Sequence, residues 1–168
     1  MRRKSFEHAA CPVARSLDVL GDWWTLLIVR NALHGATRFT DFQQNLGMAK
    51  NILSARLQQL VSDGVFETRP SPERADRQEY HLTDKGRRLQ VVLLALRQWG
   101  EDHLFAEGEE MTELVDKESG EAPARLEVIS KEGRPLGPDG LEVRTGARRL
   151  PAKHRRSSGL ARQPEPKK

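Results

Sequence analysis

The side chains best suited to specific chemistry form one polar face of a helix predicted over residues 49–62. Lys50, Asn51, Ser54 and Gln58 supply an ammonium group, two amides and a hydroxyl, with almost no carboxylate among them. A solvated helix face usually mixes Glu with Lys, whereas amides, hydroxyls and a cation suit base edges and phosphates. An ordinary helical hairpin in an all-α core explains the same stretch equally well, so this segment alone leaves both interpretations open.

A tight break precedes this helix, and another short helix precedes the break. Thr40 is predicted to cap the first helix, which buries Phe42 and Leu46 on one side. Gly47 can take the left-handed conformation that ends many helices. The next helix repeats apolar residues at Leu53, Leu57, Leu60 and Val61. Residues 38–64 therefore have the layout of a helix-turn-helix.

An arginine-rich loop follows, between strands predicted over residues 65–69 and 78–82. Arg69, Arg74 and Arg77 bracket the loop, but Glu73 and Asp76 alternate with them. Taken alone, the loop favours an ordinary solvated tip. Because it comes directly after a helix-turn-helix, it favours instead a wing over residues 66–82 that contacts DNA backbone or the minor groove.

Further helices are predicted to hold these elements in place. Pro12 begins a helix that ends near Leu20, and a helix over residues 23–33 is apolar almost all round, as is typical of a core helix. Its Trp23-Trp24 pair is predicted to pack in the core rather than to line a small-molecule pocket. A short strand is predicted over residues 37–39. A long helix from Thr83 to about Phe105 has an apolar stripe that needs a partner: Leu89, Val92, Leu93, Leu96, Trp99 and His103.

Charge divides the chain into parts with different expected roles. Residues 1–105 carry 15 basic and 12 acidic side chains, residues 106–146 carry 5 and 11, and residues 147–168 carry 8 and 1. Residues 1–10 are predicted to be a flexible arm and residues 11–105 the main domain. Residues 106–146 predict an acidic, β-hairpin-rich extension that begins with a short helix over residues 107–115. Residues 147–168 predict a basic disordered tail.

Composition excludes several classes of protein. The longest apolar runs, residues 26–29 and 91–96, are too short to span a bilayer, and the N-terminus lacks the apolar stretch of a signal peptide. A cytoplasmic protein without membrane contact is therefore expected. One cysteine excludes an intrachain disulfide and a cysteine-based zinc site, and the five histidines lack metal-ligand spacing. No catalytic set or phosphate loop is recognisable, so we expect neither an enzyme nor a cofactor or metal.

Short blocks spread along residues 11–105 form an ordered set. They are Cys11-Pro12, residues 17–25 (LDVLGDWWT), 38–42 (RFTDF), 53–57 (LSARL), 63–65 (DGV), 79–86 (EYHLTDKG) and Trp99-Gly100. The set resembles the HxlR family of bacterial transcription regulators. The resemblance implies a mainly α fold with a small β-hairpin wing (α+β): a winged helix-turn-helix with a long C-terminal dimerisation helix. It also implies a homodimer that binds a roughly palindromic operator.

These interpretations assign residues to two surfaces. The DNA surface comprises Arg38, Thr40, Lys50, Asn51, Ser54, Arg56, Gln58, Arg69, Arg74 and Arg77, with Arg56 expected either at the backbone or in a buried ion pair. The resemblance implies that the first and last helices of the domain form the dimer. The residues concerned are Val13, Leu17, Leu89, Val92, Leu93, Leu96 and Trp99.

Cys11 has two interpretations. Family members include sensors of oxidants and electrophiles with a cysteine just before the first-helix proline, and a helix N-terminus stabilises a thiolate. Alternatively, Cys11 is a small residue that fills a gap at the dimer interface. Without a second cysteine, an oxidised form needs a disulfide between subunits, a small-thiol adduct or an alkylated thiol.

The sequence therefore predicts a sequence-specific transcriptional regulator, more specifically a repressor. Its expected partners are double-stranded operator DNA, a second copy of the chain, and a small effector, either a redox-active or electrophilic compound or an aromatic ligand. The rival prediction is a protein–protein adaptor that kept the winged fold, lost DNA binding, and docks through the acidic extension.

Overall fold

The computed structural model describes residues 5–74 and 76–144, and the predicted basic tail lies outside the described residues. The elements in chain order are α1 (Pro12–Leu20), α2 (Trp23–Leu33), α3 (Phe39–Leu46), α4 (Lys50–Ser62), β1 (Phe66–Pro70), β2 (Gln78–Leu82), α5 (Asp84–Arg87), α6 (Gln90–His103) and a 3-10 turn (Pro138–Gly140). Strands β1 and β2 pair antiparallel, with Phe66 opposite Leu82 and Pro70 opposite Gln78. This order confirms the predicted winged helix-turn-helix.

One hydrophobic core joins α2, the helix-turn-helix and the base of the hairpin. Its largest fully buried side chains are Phe42, Phe66, Ile28, Leu53, Leu57, Leu60, Val29 and Val65. The rings of Phe42 and Phe66 meet edge to face at 6.2 Å, a favourable aromatic geometry. Helix α2 is central, as its apolar composition predicts. Trp24 packs against the core, but Trp23 is 64% exposed and stacks on Trp24, so the prediction of core packing fails for Trp23.

The start of α3 differs from the prediction by two residues. Arg38, not Thr40, is the N-cap residue, and its backbone is extended. Asp41 in the first turn accepts a hydrogen bond from the Arg38 backbone N–H at 3.2 Å, which satisfies one of the donors at the helix start. The strand predicted over residues 37–39 is therefore absent, since Phe39 already belongs to α3. Gly47 ends the helix at φ +63°, as expected.

The long helix predicted from Thr83 is two helices. Thr83 caps α5, and its hydroxyl accepts a hydrogen bond from the Gly86 N–H. The Leu89 N–H then donates to the Gly86 carbonyl at 3.0 Å, a bond that spans three residues and tightens the chain between α5 and α6. Helix α6 begins at Gln90 and ends at His103.

The chain divides into two compact units after Leu126. In the first unit, residues 107–115 are not helical, contrary to the prediction. In the second unit, the described residues 127–144 contain one isolated bridge, between Ile129 and Pro135, and the 3-10 turn. In place of the predicted strands, this segment has one short antiparallel turn, in which the Leu136 N–H donates to the Val128 carbonyl at 2.7 Å and the Ser130 N–H to the Arg134 carbonyl at 2.8 Å. Longer strands are not formed in the described part of this unit, where Val128, Ile129, Leu141 and Val143 are exposed and not packed in a core.

Within the described residues, no helix combines the length and the apolar composition that crossing a membrane would require.

Candidate nucleic-acid interface

Helix α4 has one buried face and one open polar face. Leu53, Leu57 and Leu60 are buried in the core. On the other side Lys50, Asn51 and Gln58 are exposed and Ser54 is half-buried. These four side chains make no hydrogen bond or ion pair with other residues that the structure describes. Their polar groups are therefore available to an external ligand.

Ile52 is an exposed apolar residue of α4 that the sequence analysis did not single out. It is a large hydrophobic residue exposed on α4, next to Asn51 in sequence. An exposed aliphatic side chain beside amides suits the methyl group of thymine. The helical period could have identified Ile52, because it lies outside the stripe formed by Leu53, Leu57 and Leu60.

Arg56 forms an ion pair with a residue of the same chain, Asp22. Its Nη2 lies 2.5 Å from Oδ2 of Asp22, and both side chains are partly buried. Oδ1 of Asp22 accepts a hydrogen bond from the Trp24 N–H at 2.9 Å and so caps α2. Of the two predicted roles for Arg56, the structure shows the ion pair. The contact fixes α4 relative to the first turn of α2.

The wing, residues 66–82, carries three arginines and four carboxylates and is therefore not basic overall. Arg69 Nε donates to Glu67 Oε1 at 2.9 Å, and Arg74 Nη2 lies 2.9 Å from Asp76 Oδ2. Arg77 is exposed, and its side chain has no partner among the described residues. Arg77 is therefore the wing arginine most available to a phosphate.

A buried carboxylate, Glu79, connects the wing to the start of α3. Its side chain is only 8% exposed, and Oε1 accepts a hydrogen bond from Ser71 Oγ at 2.9 Å. Thr37 Oγ1 donates to Oε2 at 3.3 Å, and Arg38 Nε lies 3.5 Å from Oε1. The Tyr80 N–H also donates to the Thr37 carbonyl at 2.7 Å. These contacts fix the wing against the helix-turn-helix.

Sequence analysis did not identify Glu79 as part of the site. Glu79 is buried beside Thr37, which is distant in sequence, and Ser71, which lies across the hairpin. The spacing of neighbouring residues therefore gives no sign that Glu79 is buried. The pKa of Glu79 lies below its ordinary value because Ser71 donates a hydrogen bond to the carboxylate; Arg38 and Thr37 add to the effect, while burial opposes it. The pKa of Arg38 is raised, chiefly by its hydrogen bond to Glu73.

Replacing Glu79 by Gln is expected to make the free energy of unfolding of the domain less dependent on pH in the acidic range. Because folding lowers the Glu79 pKa from 4.5, the ionised carboxylate stabilises the fold above that pH, and this stabilisation is lost as the pH falls through the folded-state pKa. The difference in free energy of unfolding between wild type and Glu79→Gln should therefore be largest near neutral pH and shrink in acid. Urea unfolding at a series of pH values measures it, and a constant difference would contradict the assignment.

The predicted dimer residues fall into two groups. Val92, Leu96 and Trp99 on α6, here named the α6 stripe, are 45–54% exposed, and Val13 and Leu17 on α1 are also exposed. Leu89 and Leu93 instead pack against the core of their own chain. The first group leaves more apolar surface exposed, whereas Leu89 and Leu93 are partly buried, and the assignment of both groups to a dimer stays a prediction.

Residues 109–126 contact α6 beside that stripe. Gln98 Oε1 accepts from the Leu126 N–H at 2.9 Å, and Gln98 Nε2 donates to the Leu126 carbonyl at 3.1 Å. Arg97 donates to Thr112, and Arg125 pairs with Asp102. These contacts use faces of α6 other than the one formed by Val92, Leu96 and Trp99.

Cys11 is exposed and is the N-cap residue of α1, with Pro12 in the first turn. Its side chain makes no capping hydrogen bond. Because the Cys11 side chain is exposed, it does not fill a gap among the described residues of its own chain. Among the described residues, no group of three or more His, Cys, Asp or Glu side chains is arranged to hold a metal ion.

Known proteins match the part of the chain that contains these surfaces. Residues 19–108 match the family described as HxlR-like helix-turn-helix. An HTH-type transcriptional regulator of Mycobacterium tuberculosis, Rv3095, is 42% identical over 92 residues, which is 55% of this chain and 58% of that protein. The chain thus matches less than two thirds of this relative's length. A regulator of Synechocystis, sll1512, is 34% identical over 67% of this chain and 82% of its own length.

Solved structures agree with the family match. PA1607, described as a candidate transcription factor, is 50% identical with a TM-score of 0.81, covering 85% of this chain and all of its own. The redox regulator HypR in its reduced form is 28% identical with a TM-score of 0.52, covering 56% of this chain and 94% of its own. These relatives are named as regulators, not enzymes, in line with the sequence prediction. The chain belongs to the HxlR-like helix-turn-helix family.

Proposed function

We propose that this protein is a sequence-specific DNA-binding transcriptional regulator, with α4 in the major groove. The observation that carries the proposal is the open polar face of α4. Lys50, Asn51 and Gln58 are exposed, and their side chains are not used by the described part of the chain. Amides read base edges, and Lys contacts guanine or phosphate. The names of the relatives support the same function.

The wing is proposed to contact the flanking backbone or minor groove through Arg77. Arg69 and Arg74 are each proposed to contact a phosphate while they stay paired with Glu67 and Asp76. Arg38 and Thr40, at the start of α3, are exposed and are proposed to contact the backbone. In this arrangement α4 selects the sequence and the other contacts supply affinity.

The functional unit is proposed to be a homodimer formed by α1 and α6. Exposed apolar residues on both helices, among them Val13, Leu96 and Trp99, support this proposal. A two-fold dimer would place two α4 helices at half-sites about one helical turn, or a multiple of it, apart. Such a dimer would bind a palindromic operator, and we propose that it represses the adjacent genes.

A gel-shift with DNA from upstream of the protein's own gene tests the proposal. We expect binding to this DNA in excess of a scrambled duplex of equal length and composition. Absence of binding to either duplex at low salt would favour the adaptor instead, for which a pull-down through residues 106–144 is the direct test.

Two substitutions separate affinity from sequence preference. Arg77→Ala should weaken binding to every duplex and reduce the salt slope by about one, because one phosphate contact is lost. Asn51→Ala should cost about 1–3 kcal/mol at one base position and leave other sequences nearly unaffected. Fluorescence anisotropy against single-base operator variants at several salt concentrations measures both. An unchanged salt slope in Arg77→Ala would remove Arg77 from the contacts.

Cys11 is a candidate for the regulatory input. The thiol is exposed at the start of α1, a proposed dimer helix, and the similar protein HypR is named a redox regulator. If oxidation at Cys11 controls binding, Cys11→Ser should bind operator DNA normally and keep binding after treatment with diamide or a quinone. If diamide or a quinone released both Cys11→Ser and wild type from DNA, Cys11 would not be the sensor. An aromatic ligand would then be the remaining candidate for the effector.

A further inference from the structure

The wing tip reaches back to the start of α3 through one long-range ion pair. Glu73, on the turn between β1 and β2, accepts a hydrogen bond from Nη2 of Arg38, the N-cap residue of α3. Both side chains are exposed, Glu73 by 69% and Arg38 by 45%. Glu73 has no second side-chain partner among the described residues. An exposed carboxylate thus occupies the outer edge of a guanidinium that belongs to the proposed DNA surface.

The other anion beside Arg38 is of a different kind. Glu79 is buried, is held by Ser71 and Thr37, and lies on the Nε side of the Arg38 guanidinium. Glu79 cannot move away without leaving a buried charge unpaired, which is costly. Glu73 can rotate into water at little cost, because an exposed ion pair contributes little to stability. Glu79 therefore orients Arg38, while Glu73 is a removable partner.

A phosphate has the charge and the oxygen geometry that a guanidinium prefers, as a carboxylate does. Building on the proposed function, we infer that Glu73 binds the part of the Arg38 guanidinium that would otherwise bind a DNA phosphate. When DNA binds, a phosphate replaces the Glu73 carboxylate on Arg38. Every duplex has to displace Glu73, so Glu73 lowers the affinity for all DNA. Sequences with good base contacts to α4 overcome this cost, whereas non-specific sequences do not.

The two arginine–carboxylate pairs within the wing do not offer such an exchange between elements. Arg69 pairs with Glu67 and Arg74 pairs with Asp76, in each case two residues apart on the same hairpin. Each carboxylate stays beside its arginine wherever the wing moves. Glu67 is therefore a matched control for Glu73, since it is also an exposed wing glutamate but does not contact Arg38.

The test compares Glu73→Gln and Glu67→Gln in the full-length protein, using a random duplex of about 30 base pairs and the DNA upstream of its own gene. Glu73→Gln should lower the dissociation constant for both duplexes by about 3- to 10-fold, with a salt slope steeper by about one. Glu67→Gln releases Arg69 rather than Arg38, so any change that it causes in the dissociation constant should be the same in the wild-type and Arg38→Gln backgrounds.

The decisive measurement is the same substitution in an Arg38→Gln background, where Glu73→Gln should have no effect on the dissociation constant. Arg38→Met, which keeps an unbranched side chain but has no charge, serves as a second background if Arg38→Gln melts at a lower temperature than wild type. Equal tightening by Glu73→Gln in both backgrounds would show a general charge effect and overturn the inference. Weaker or unchanged binding by Glu73→Gln would also overturn it, while the proposed function would stand. Loss of DNA binding by wild type itself would overturn the proposed function.

Discussion

Gly86→Ala is expected to destabilise the winged domain by about 3 kcal/mol, because overpacking against backbone leaves no flexible group to yield. A Cβ at this position would lie 2.2 Å from the Val65 carbonyl oxygen and 2.8 Å from Leu82 Cδ2. The Val65 oxygen cannot retreat freely, since it accepts hydrogen bonds from the Thr83 N–H at 3.1 Å and from the Thr83 hydroxyl at 3.2 Å. Both β1 and α5 would have to shift.

Thermal and urea unfolding measure this effect, and the melting temperature should fall by roughly 12–20 °C. Gly100→Ala is the control, because Gly100 is also helical but has no heavy atom within 4 Å of a Cβ built there. It should be neutral or slightly stabilising, since Ala favours a helix over Gly. Similar melting of Gly86→Ala and wild type would mean that α5 does not pack against Val65 as described.

Leu96→Glu is expected to convert the proposed dimer into monomers and to lower affinity for a palindromic operator by about 100-fold or more, because two linked contacts become one. Leu96 is the middle residue of the α6 stripe and is half exposed. A charge placed there would have to be buried unpaired in the dimer. Sedimentation should show a species of 19.0 kDa in place of one twice as large.

Val91→Glu is the matched control for this substitution. Val91 is exposed on the same helix but points about 100° away from its neighbour Val92, because each residue of an α-helix turns by that angle. Val91→Glu should remain dimeric and bind DNA as wild type does. If Leu96→Glu also remained dimeric with full operator binding, α6 would not be the dimer helix.

Sequence periodicity predicted the elements that bury apolar residues on one side. The spacing of Leu53, Leu57 and Leu60 identified α4 to within one residue at its start, and Pro12 marked the start of α1. The alternation at residues 78–82 identified β2. In each case the residues that form the local pattern are also those that the fold requires at these positions, so the pattern alone is sufficient to predict the element.

Features that depend on distant contacts could not be predicted in this way. The interruption before α6 follows from the chain turning tightly at Gly86, and the burial of Glu79 follows from Thr37 and Ser71. Arg56 faces Asp22 because α2 and α4 pack together, which a single helix does not reveal. In the extension, alternation predicted strands, but the described residues 127–144 form only one short antiparallel turn, and their apolar side chains are exposed.

The connection between the wing and the helix-turn-helix sets how one subunit could adapt to its operator. The Tyr80 N–H donates to the Thr37 carbonyl, and Glu79 accepts hydrogen bonds from Ser71 and Thr37, so we expect the wing to move together with the start of α3. A single bound subunit would then cover a stretch of DNA of constant length. In the proposed dimer, any tolerance for extra base pairs between half-sites would have to come from the contact between subunits, so operator spacing would report the flexibility of that contact rather than of the domain.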